Sequence, residues 1–269
     1  MYQAIEGYNC ADLAWGTVNA KTVTLSFWVR SSLTGTFGGS LVNWAGNYSY
    51  PFTYTINSAN TWQQVAITIP GDTTGTWATN NTNGMEVTFG MGIGSTYSGS
   101  ANSWGASANY SPTGSVSVVG TSGATFYITG VQLESGNIAS SFDFRHVSTE
   151  LQLCQRYFQT CYTEGYSPGA NVGGADSNSL IQASWGVNTS ANIAGFQLLL
   201  PVTMRSQPTL VTYDYTGTSG VCTGLNAGAG ATNGVGFNTT VTAKGAVRFR
   251  MYNQGYYGCS FGYTLSAEL

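Results

Sequence analysis

The chain carries few side chains that could act as acids, bases or nucleophiles. Its 269 residues include 11 Asp and Glu and a single His. Hydrolysis of a glycosidic bond needs two carboxyl groups that face each other across a sugar ring. No spaced motif links any pair here: Asp72 follows Pro70-Gly71 as a turn residue would, and Glu150 falls at the start of a predicted helix. We therefore expect no enzymatic activity.

Other catalytic and metal-binding patterns are also missing from the sequence. A Ser or Cys triad needs a histidine base, but His146 stands alone and no G-x-S-x-G segment accompanies it. There is no C-x-x-C pair for zinc and no D-x-D-x-D-G calcium loop. We expect neither a metal nor a cofactor. The irregular spacing of the cysteines predicts free, mostly buried thiols at Cys10, Cys154, Cys161, Cys222 and Cys259.

Aromatic side chains in polar segments are the strongest functional signal. A sugar ring stacks its C–H face on Trp or Tyr, while Asn, Gln and Ser side chains hydrogen-bond with its hydroxyl groups. In this chain Trp and Tyr are interleaved with Asn in segments that read as exposed loops. Protein-binding loops share that composition, and packing within the fold or at a subunit interface would also account for the rings. The candidate glycan-binding residues are Tyr48, Tyr50, Trp77, Tyr97, Trp104, Tyr110, Tyr256 and Tyr257.

The composition favours a β protein with many turns. Charged residues make up only 7%, whereas hydrophobic residues make up 42% and aromatic residues 13%. This apolar content can supply a core, and the 36 Gly residues, with many Ser, Thr and Asn, suit short strands and tight turns. The net charge is −3 and only Arg248 and Arg250 are close together. Nucleic acid is therefore not expected as a partner, because its backbone requires clustered cations.

No targeting or membrane segment is expected. The first ten residues, MYQAIEGYNC, have neither the basic segment nor the apolar core of a signal peptide. No apolar run reaches the length of about 18 residues that a membrane-spanning helix needs. We therefore expect a protein made in the cytoplasm, without membrane insertion.

Alternating hydrophobic positions predict strands in both halves of the chain. A change of phase at Thr129-Gly130 predicts a β-bulge. Two Gly-rich stretches, 94–123 and 217–236, are predicted as loose loops, and the first is either functional or packed on a neighbouring subunit. The predicted fold is all-β: a jelly roll or β-sandwich at 1–140, a linker with an amphipathic helix at 141–165, and a β-sandwich-like domain at 166–269. The alternating segments are 23–29, 65–69, 85–93, 196–200, 209–215, 247–251 and 261–265.

One amphipathic helix is predicted between the two β domains. Thr149-Glu150-Leu151-Gln152 fits a capping box, and hydrophobic residues then recur at helical spacing as far as Cys161. A single helix cannot bury such a stripe alone, so it must dock on a sheet or on symmetry mates around an axis. The candidate oligomerisation residues are Leu151, Cys154, Tyr157 and Phe158.

The stretch 126–159 resembles a connector of bacteriophage virion proteins, especially tail fibres. In that family a lectin-like, carbohydrate-binding-module-like jelly roll ends in YITGVQLE-G, followed by F-x-x-R-x-x-x-x-E-L-x-L-C-Q-R-Y-Y. Here Phe158 replaces the last Tyr and no Pro precedes Phe142. LPVTMRSQPTL at 200–210 and the terminal SAEL resemble the family's C-terminal domain. The matching connector residues are Tyr127, Ile128, Thr129, Gly130, Val131, Gln132, Leu133, Glu134, Gly136, Phe142, Arg145, Glu150, Leu151, Leu153, Cys154, Gln155, Arg156 and Tyr157.

The resemblance implies a non-enzymatic virion protein assembled in the bacterial cytoplasm. It would form the distal part of a tail fibre, assemble as a homotrimer and attach to other virion proteins. It would bind host surface glycans through many weak contacts. It also implies that strands preceding Tyr2 are absent from the chain or supplied by another subunit. A capsid decoration or fibre protein with a purely structural role is the first alternative, and a tailspike-type glycosidase that degrades polysaccharide is the second.

Overall fold

The computed structural model describes residues 1–163, 165–171, 181–184, 193–226, 230–236, 238–243, 245–252, 256 and 258–269. The chain divides into two compact units, Met1–Phe144 and Arg145–Glu268. Each unit is built from antiparallel sheets that enclose a separate hydrophobic core. The prediction of an all-β, sandwich-like fold is confirmed.

The first unit is a sandwich of a four-stranded and a three-stranded sheet. The four-stranded sheet has the order β1-β6-β3-β4, the three-stranded sheet has the order β5-β2-β9, and β7 pairs with β8. Three-residue 3-10 helices lie at Gly7–Asn9, Ala11–Leu13 and Ser95–Tyr97. The strands are β1 (Tyr2–Glu6), β2 (Val23–Ser31), β3 (Gly35–Asn43), β4 (Ser49–Ile56), β5 (Gln63–Ile69), β6 (Asn83–Phe89), β7 (Ser98–Gly99), β8 (Ser111–Pro112) and β9 (Phe126–Ser135).

The core of the first unit lies between these two sheets. The inward positions of β2 (Val23, Leu25, Phe27 and Val29) are all at most 1% exposed, as their alternation predicts. The Phe27 ring contacts rings of the opposite sheet edge-on, with its centroid 5.1 Å from that of Tyr54 and 5.1 Å from that of Phe89. Aromatic packing thus joins the two sheets.

The predicted bulge in β9 is confirmed. Ser26 pairs with Gln132 and Trp28 pairs with Thr129, so two residues of β9 lie opposite Phe27. One of them is Gly130, whose φ of 58° lies in the left-handed region that glycine adopts without strain. The extra residue explains why the inward phase changes along β9.

The segment 94–123 is not a loose loop, and it packs on its own unit. It crosses the outer face of the four-stranded sheet, where Asn102 N–H donates to the Pro51 carbonyl (2.7 Å) and Val116 N–H donates to the Thr36 carbonyl (2.9 Å). A Cβ atom on Gly38 would lie 2.3 Å from the Pro112 side chain, so glycine allows the close approach. We call this segment the covering arm. The arm is held by side-chain contacts and isolated backbone hydrogen bonds rather than by long strands. Its sequence therefore lacks the alternation of a strand, and this is why it was predicted to be a loop.

The chain after β9 turns back over the outer face of the three-stranded sheet. Asp143 N–H donates to Gln132 Oε1 (2.9 Å), and Ser140 N–H donates to Glu134 Oε1 (2.8 Å). Thr24 Oγ1 donates to the Gly136 carbonyl (2.9 Å). This contact explains why Thr24, a polar residue of β2, is buried.

The second unit contains one helix and two sheets in its described part. β18 lies at the centre of the larger sheet and pairs with β10, β11, β13 and β14; the smaller sheet has the order β12-β17-β16. The elements are α1 (Val147–Gln155), β10 (Phe158–Thr160), β11 (Ile181–Ser184), β12 (Ile193–Leu199), β13 (Thr209–Tyr213), β14 (Cys222–Asn226), β15 (Gly230–Val235), β16 (Asn238–Ala243), β17 (Ala246–Tyr252) and β18 (Gly258–Ser266).

Both sheets of the second unit contribute to its core. The ring centroids of Phe249 in β17 and Phe261 in β18 are 4.6 Å apart. The Gly-rich stretch predicted as a loose loop at 217–236 instead holds the antiparallel pair β14 and β15. Its strands were missed because Gly and Asn interrupt the hydrophobic alternation.

The predicted bounds of the helix are wrong at both ends. The N-cap residue is His146 rather than Thr149, and no side chain caps the helix. The helix ends at Gln155 because Phe158 pairs with Ser266 and begins β10. Phe158 and Cys161 therefore do not continue a helical stripe. None of the helices in the described residues has the length and apolar character needed to span a membrane.

The expectation of free, mostly buried thiols is confirmed. All five cysteines are free, and Cys10, Cys222 and Cys259 are buried. Burial, and secondarily the charge of Asp12, raises the pKa of the Cys10 thiol to about 11. A hydrogen bond with Cys259, together with burial, raises the pKa of Cys222. The thiols of Cys10 and Cys222 are therefore protonated at neutral pH and act as small apolar side chains.

Candidate functional site

Several of the predicted aromatic residues meet around Trp104. Its ring centroid lies 6.0 Å from Tyr48, 5.1 Å from Tyr50 and 5.6 Å from Trp77. Trp15, which the sequence analysis did not single out, completes the group at 5.3 Å. We call these five residues the Trp104 cluster. Segments distant in sequence meet here, so no local pattern could have predicted the cluster.

The three indole N–H groups of the Trp104 cluster are already bonded within the chain. Trp77 Nε1 donates to Asp72 Oδ2 (2.7 Å), Trp15 Nε1 donates to the Lys21 carbonyl (2.7 Å), and Trp104 Nε1 donates to the Pro70 carbonyl (2.8 Å). The cluster thus resembles a packed corner of the sandwich more than an open sugar site.

Two of the predicted ligand-binding residues are not exposed on loops. Tyr50 lies in β4, in phase with Phe52, Tyr54 and Ile56, and all of them point into the core. Trp77 is buried because Asp72 fixes its indole and Trp104 covers its ring. The expectation of exposure was wrong for both, and the alternation from Tyr50 to Ile56 was the signal that could have corrected it.

Tyr97 and Tyr110 lie together at a different place, on the covering arm. Their ring centroids are 5.8 Å apart, and Tyr110 N–H donates to the Tyr97 carbonyl (2.8 Å). Tyr110 also lines an open groove of about 400 Å³ on the outer face of the four-stranded sheet. The lining residues of this groove are Met1, Tyr2, Glu86, Thr88, Phe89, Ile93 and Tyr110.

The register of the strands builds this groove. Tyr2 pairs with Thr88 and Ala4 pairs with Glu86, so these residues share the outer face of β1 and β6. The arm is held beside them because Thr88 Oγ1 lies 3.0 Å from the Tyr110 carbonyl oxygen. The arm covers β3 and β4 but leaves this end of the sheet open.

Glu86 is the acidic group of the groove, which the Met1 ammonium also lines. Burial raises the pKa of its carboxyl, and the hydrogen bond that Asn83 Nδ2 donates to Oε1 (3.0 Å) partly offsets this effect. Burial also raises the pKa of the Tyr110 hydroxyl, and the charge of Glu86 adds to the shift.

The groove offers aromatic surfaces and one hydrogen-bonding acid. Tyr2 and Tyr110 provide rings on which a sugar could stack, and the Glu86 carboxylate can accept hydrogen bonds from hydroxyl groups. Glu86 is the single carboxylate among the lining residues. Acid–base hydrolysis of a glycoside needs two, so this arrangement suits binding better than catalysis.

The remaining candidates lie in the second unit. Tyr256 is half-buried and packs against its own core over Gly224, and Tyr257 lies outside the described residues. Helix α1 buries none of its residues; Leu151 is 58% exposed, Cys154 is exposed, and Tyr157 is half-buried. Phe158 is exposed in β10 rather than on the helix. The oligomerisation prediction stays a prediction.

No protein-family model matches the chain, and no curated protein matches its sequence. Among the described residues, no three His, Cys, Asp or Glu side chains are grouped so that they could hold a metal ion.

Proposed function

We propose that this chain is a non-enzymatic virion protein of a bacteriophage, from the distal part of a tail fibre, and that its groove binds a host surface glycan. The virion assignment is supported by the connector from Tyr127 to Tyr157. The binding role is supported by one observation above all: the covering arm leaves open a groove that combines Tyr2, Tyr110 and Glu86 on a sandwich face.

The groove would bind a neutral sugar without changing its bonds. The tyrosine rings would stack on C–H faces, while Glu86 would accept hydrogen bonds from two neighbouring hydroxyls. Single contacts of this kind are weak, and a fibre would gain affinity by presenting several copies.

A glycan array probed with the full chain tests the binding role, followed by calorimetry on each hit. We expect Tyr2→Ala and Glu86→Gln each to weaken binding about tenfold, the scale of one lost stacking or charged hydrogen-bond contact. Trp44→Ala is the matched control, since Trp44 is exposed outside the groove. The proposal fails if no glycan binds, or if both groove variants bind as tightly as the wild type.

The homotrimer is a second part of the proposal. Val147, Leu151 and Cys154 share one face of α1 by helical spacing, and α1 buries no residue in the chain itself. In sedimentation experiments we expect a trimer that Leu151→Glu disrupts. Thr149→Glu, on the opposite face, should leave it intact. A monomeric wild type would refute this part.

A purely structural role in the particle is the second candidate. It is favoured by the Trp104 cluster, in which four of the predicted sugar-binding residues pack on one another instead of facing solvent. Localisation on the virion separates the two, because a receptor-binding fibre must reach the tail tip whereas a decoration protein lies on the shell.

A further inference from the structure

Three exposed aromatic residues lie on the outer face of the three-stranded sheet, opposite the sheet that carries the groove. Trp28 and Trp62 are each 43% exposed and Tyr127 is 48% exposed. Arg30 pairs with Tyr127 across β2 and β9, and Trp28 pairs with Gln64 of β5. Alternation therefore places all of them on one face. We call Trp28, Arg30, Trp62 and Tyr127 the aromatic platform.

Arg30 is the unusual member of the platform. Its guanidinium carbon lies 5.5 Å from the centroid of the Tyr127 ring, a cation–π contact, and the Trp62 ring lies 6.5 Å from that of Tyr127. Nε of Arg30 is buried and has no hydrogen-bond partner among the described residues. No carboxylate in the described part of the chain forms an ion pair with it. A guanidinium with five donors is normally paired when it is partly buried.

Glu134, an acid on the same face, cannot neutralise Arg30. Glu134 pairs with Thr24, which lies about 20 Å from Arg30 along β2 at the usual strand rise. Both its carboxylate oxygens accept hydrogen bonds from Ser140, at 2.8 Å from N–H and 2.7 Å from Oγ. None of the described carboxylates therefore neutralises Arg30.

We propose that the aromatic platform binds an acidic saccharide, with sugar rings stacked on Trp62 and Tyr127 and a carboxylate paired with Arg30. Planar guanidinium groups match carboxylates in a two-bond geometry. Polar or small side chains, Gln64, Ala66 and Thr129, alternate with the rings along the strands, which suits a hydroxyl-rich ligand better than a continuous apolar protein surface. The sandwich then presents two sites on opposite faces, a groove with a carboxylate and a platform with a guanidinium.

The test uses the full chain and a tetramer of galacturonic acid, with the carboxyl-reduced neutral tetramer as the matched ligand. In calorimetry, the Kd for the acidic tetramer should rise about tenfold or more in Arg30→Gln and in Trp62→Ala. Binding to the wild type should also weaken with added salt. Arg30→Lys keeps the charge but loses the planar two-bond geometry, so its Kd should lie between those of the wild type and Arg30→Gln. Trp44→Ala should bind as the wild type does.

Three results would overturn the proposal: no binding of the acidic tetramer, equal binding of the neutral tetramer, or unchanged binding in Arg30→Gln. Concentration-dependent self-association that Trp62→Ala abolishes would assign the face to a second copy instead. Urea midpoints of the variants show whether each one folds. The platform and the groove lie on different sheets, so failure of either proposal leaves the other one standing.

Discussion

At the scale of single residues, Asp72 shows how a carboxylate can be structural. It is 1% exposed, and its oxygens accept hydrogen bonds from Thr74 N–H (3.0 Å), Gly75 N–H (2.7 Å) and the Trp77 indole (2.7 Å). The sequence predicted a turn residue after Pro70-Gly71 but not the indole contact, because Trp77 reaches back from beyond the turn.

Asp72→Asn should lower the free energy of unfolding of the first unit. The amide presents an N–H₂ group where one oxygen accepts two donors, which leaves buried donors unpaired. We expect a loss of about 3 kcal/mol in urea denaturation. Asp12→Asn is the control, since Asp12 is 70% exposed and only 3.8 Å from Lys21 in a surface ion pair; it should cost at most about 0.5 kcal/mol. Equal effects of the two changes would contradict this role.

Tyr54→Phe should have the opposite effect and raise the free energy of unfolding. The Tyr54 hydroxyl is buried without a hydrogen-bond partner among the described residues, and burial raises its pKa. Removing an unsatisfied hydroxyl should stabilise the protein by about 1 kcal/mol. Tyr48→Phe, which loses the hydrogen bond between Tyr48 and Thr74, should be neutral or destabilising in the same denaturation assay. A destabilised Tyr54→Phe protein would show that the hydroxyl has a partner.

Glu86 should make stability depend on pH. Burial raises its pKa in the folded protein above the ordinary value of 4.5. The folded state therefore holds the proton more tightly than the unfolded state, and stability falls as the pH rises from below 4.5 through the folded pKa. Glu86→Gln, which keeps the acceptor for Asn83, should gain stability relative to the wild type over that range. Parallel stability curves for the two proteins would disprove the shift.

At the scale of elements, β9 shows how a feature predicted from the sequence, its bulge, determines which side chains lie on the surface. Its bulge was predicted from the change of phase at Thr129-Gly130, because a period of two is visible in one strand. The bulge turns Tyr127 and Thr129 outward beside Trp28 while Leu133 packs against the core. The partner strand that makes Tyr127 part of a platform could not be inferred from β9 itself.

Gly130→Ala should test the bulge. An added Cβ would meet only ordinary contacts, 3.6 Å from Trp28 and 3.8 Å from Phe142, so the cost comes from the left-handed backbone. We expect a loss of about 1 to 2 kcal/mol in thermal or urea unfolding. Gly94→Ala is the matched control and should cost little, because Gly94 has a φ of −72° and open space around it. A neutral Gly130→Ala would mean that the bulge relaxes.

At the scale of the whole molecule, the chain consists of two units with separate cores. The cores share no residue: one is centred on aromatic contacts such as Phe27–Phe89, the other on Phe249–Phe261. Units of this size commonly unfold as separate cooperative blocks.

Calorimetry of the full chain should therefore resolve two unfolding transitions. Asp72→Asn and Gly130→Ala should both lower the midpoint of the same transition and leave the other within error, because both residues belong to the first unit. A single transition that moves as a whole in either variant would mean that the two units unfold together.

Period-two alternation of hydrophobic side chains and abundant turn residues determined the all-β class, the bulge and eight of the described strands, since each of these depends on neighbours in sequence. The eight strands are β2, β5, β6, β9, β12, β13, β17 and β18. The tertiary structure decided which surfaces stay open. The covering arm buries the outer face of β3 and β4 but not that of β1 and β6, Tyr50 and Trp77 turn inward, and Trp28, Arg30 and Tyr127 meet on the outer face of the other sheet. The alternation of Tyr50 with Phe52, Tyr54 and Ile56 indicates the inward side of Tyr50. The other outcomes depend on contacts between segments tens of residues apart, which chain periodicity does not encode.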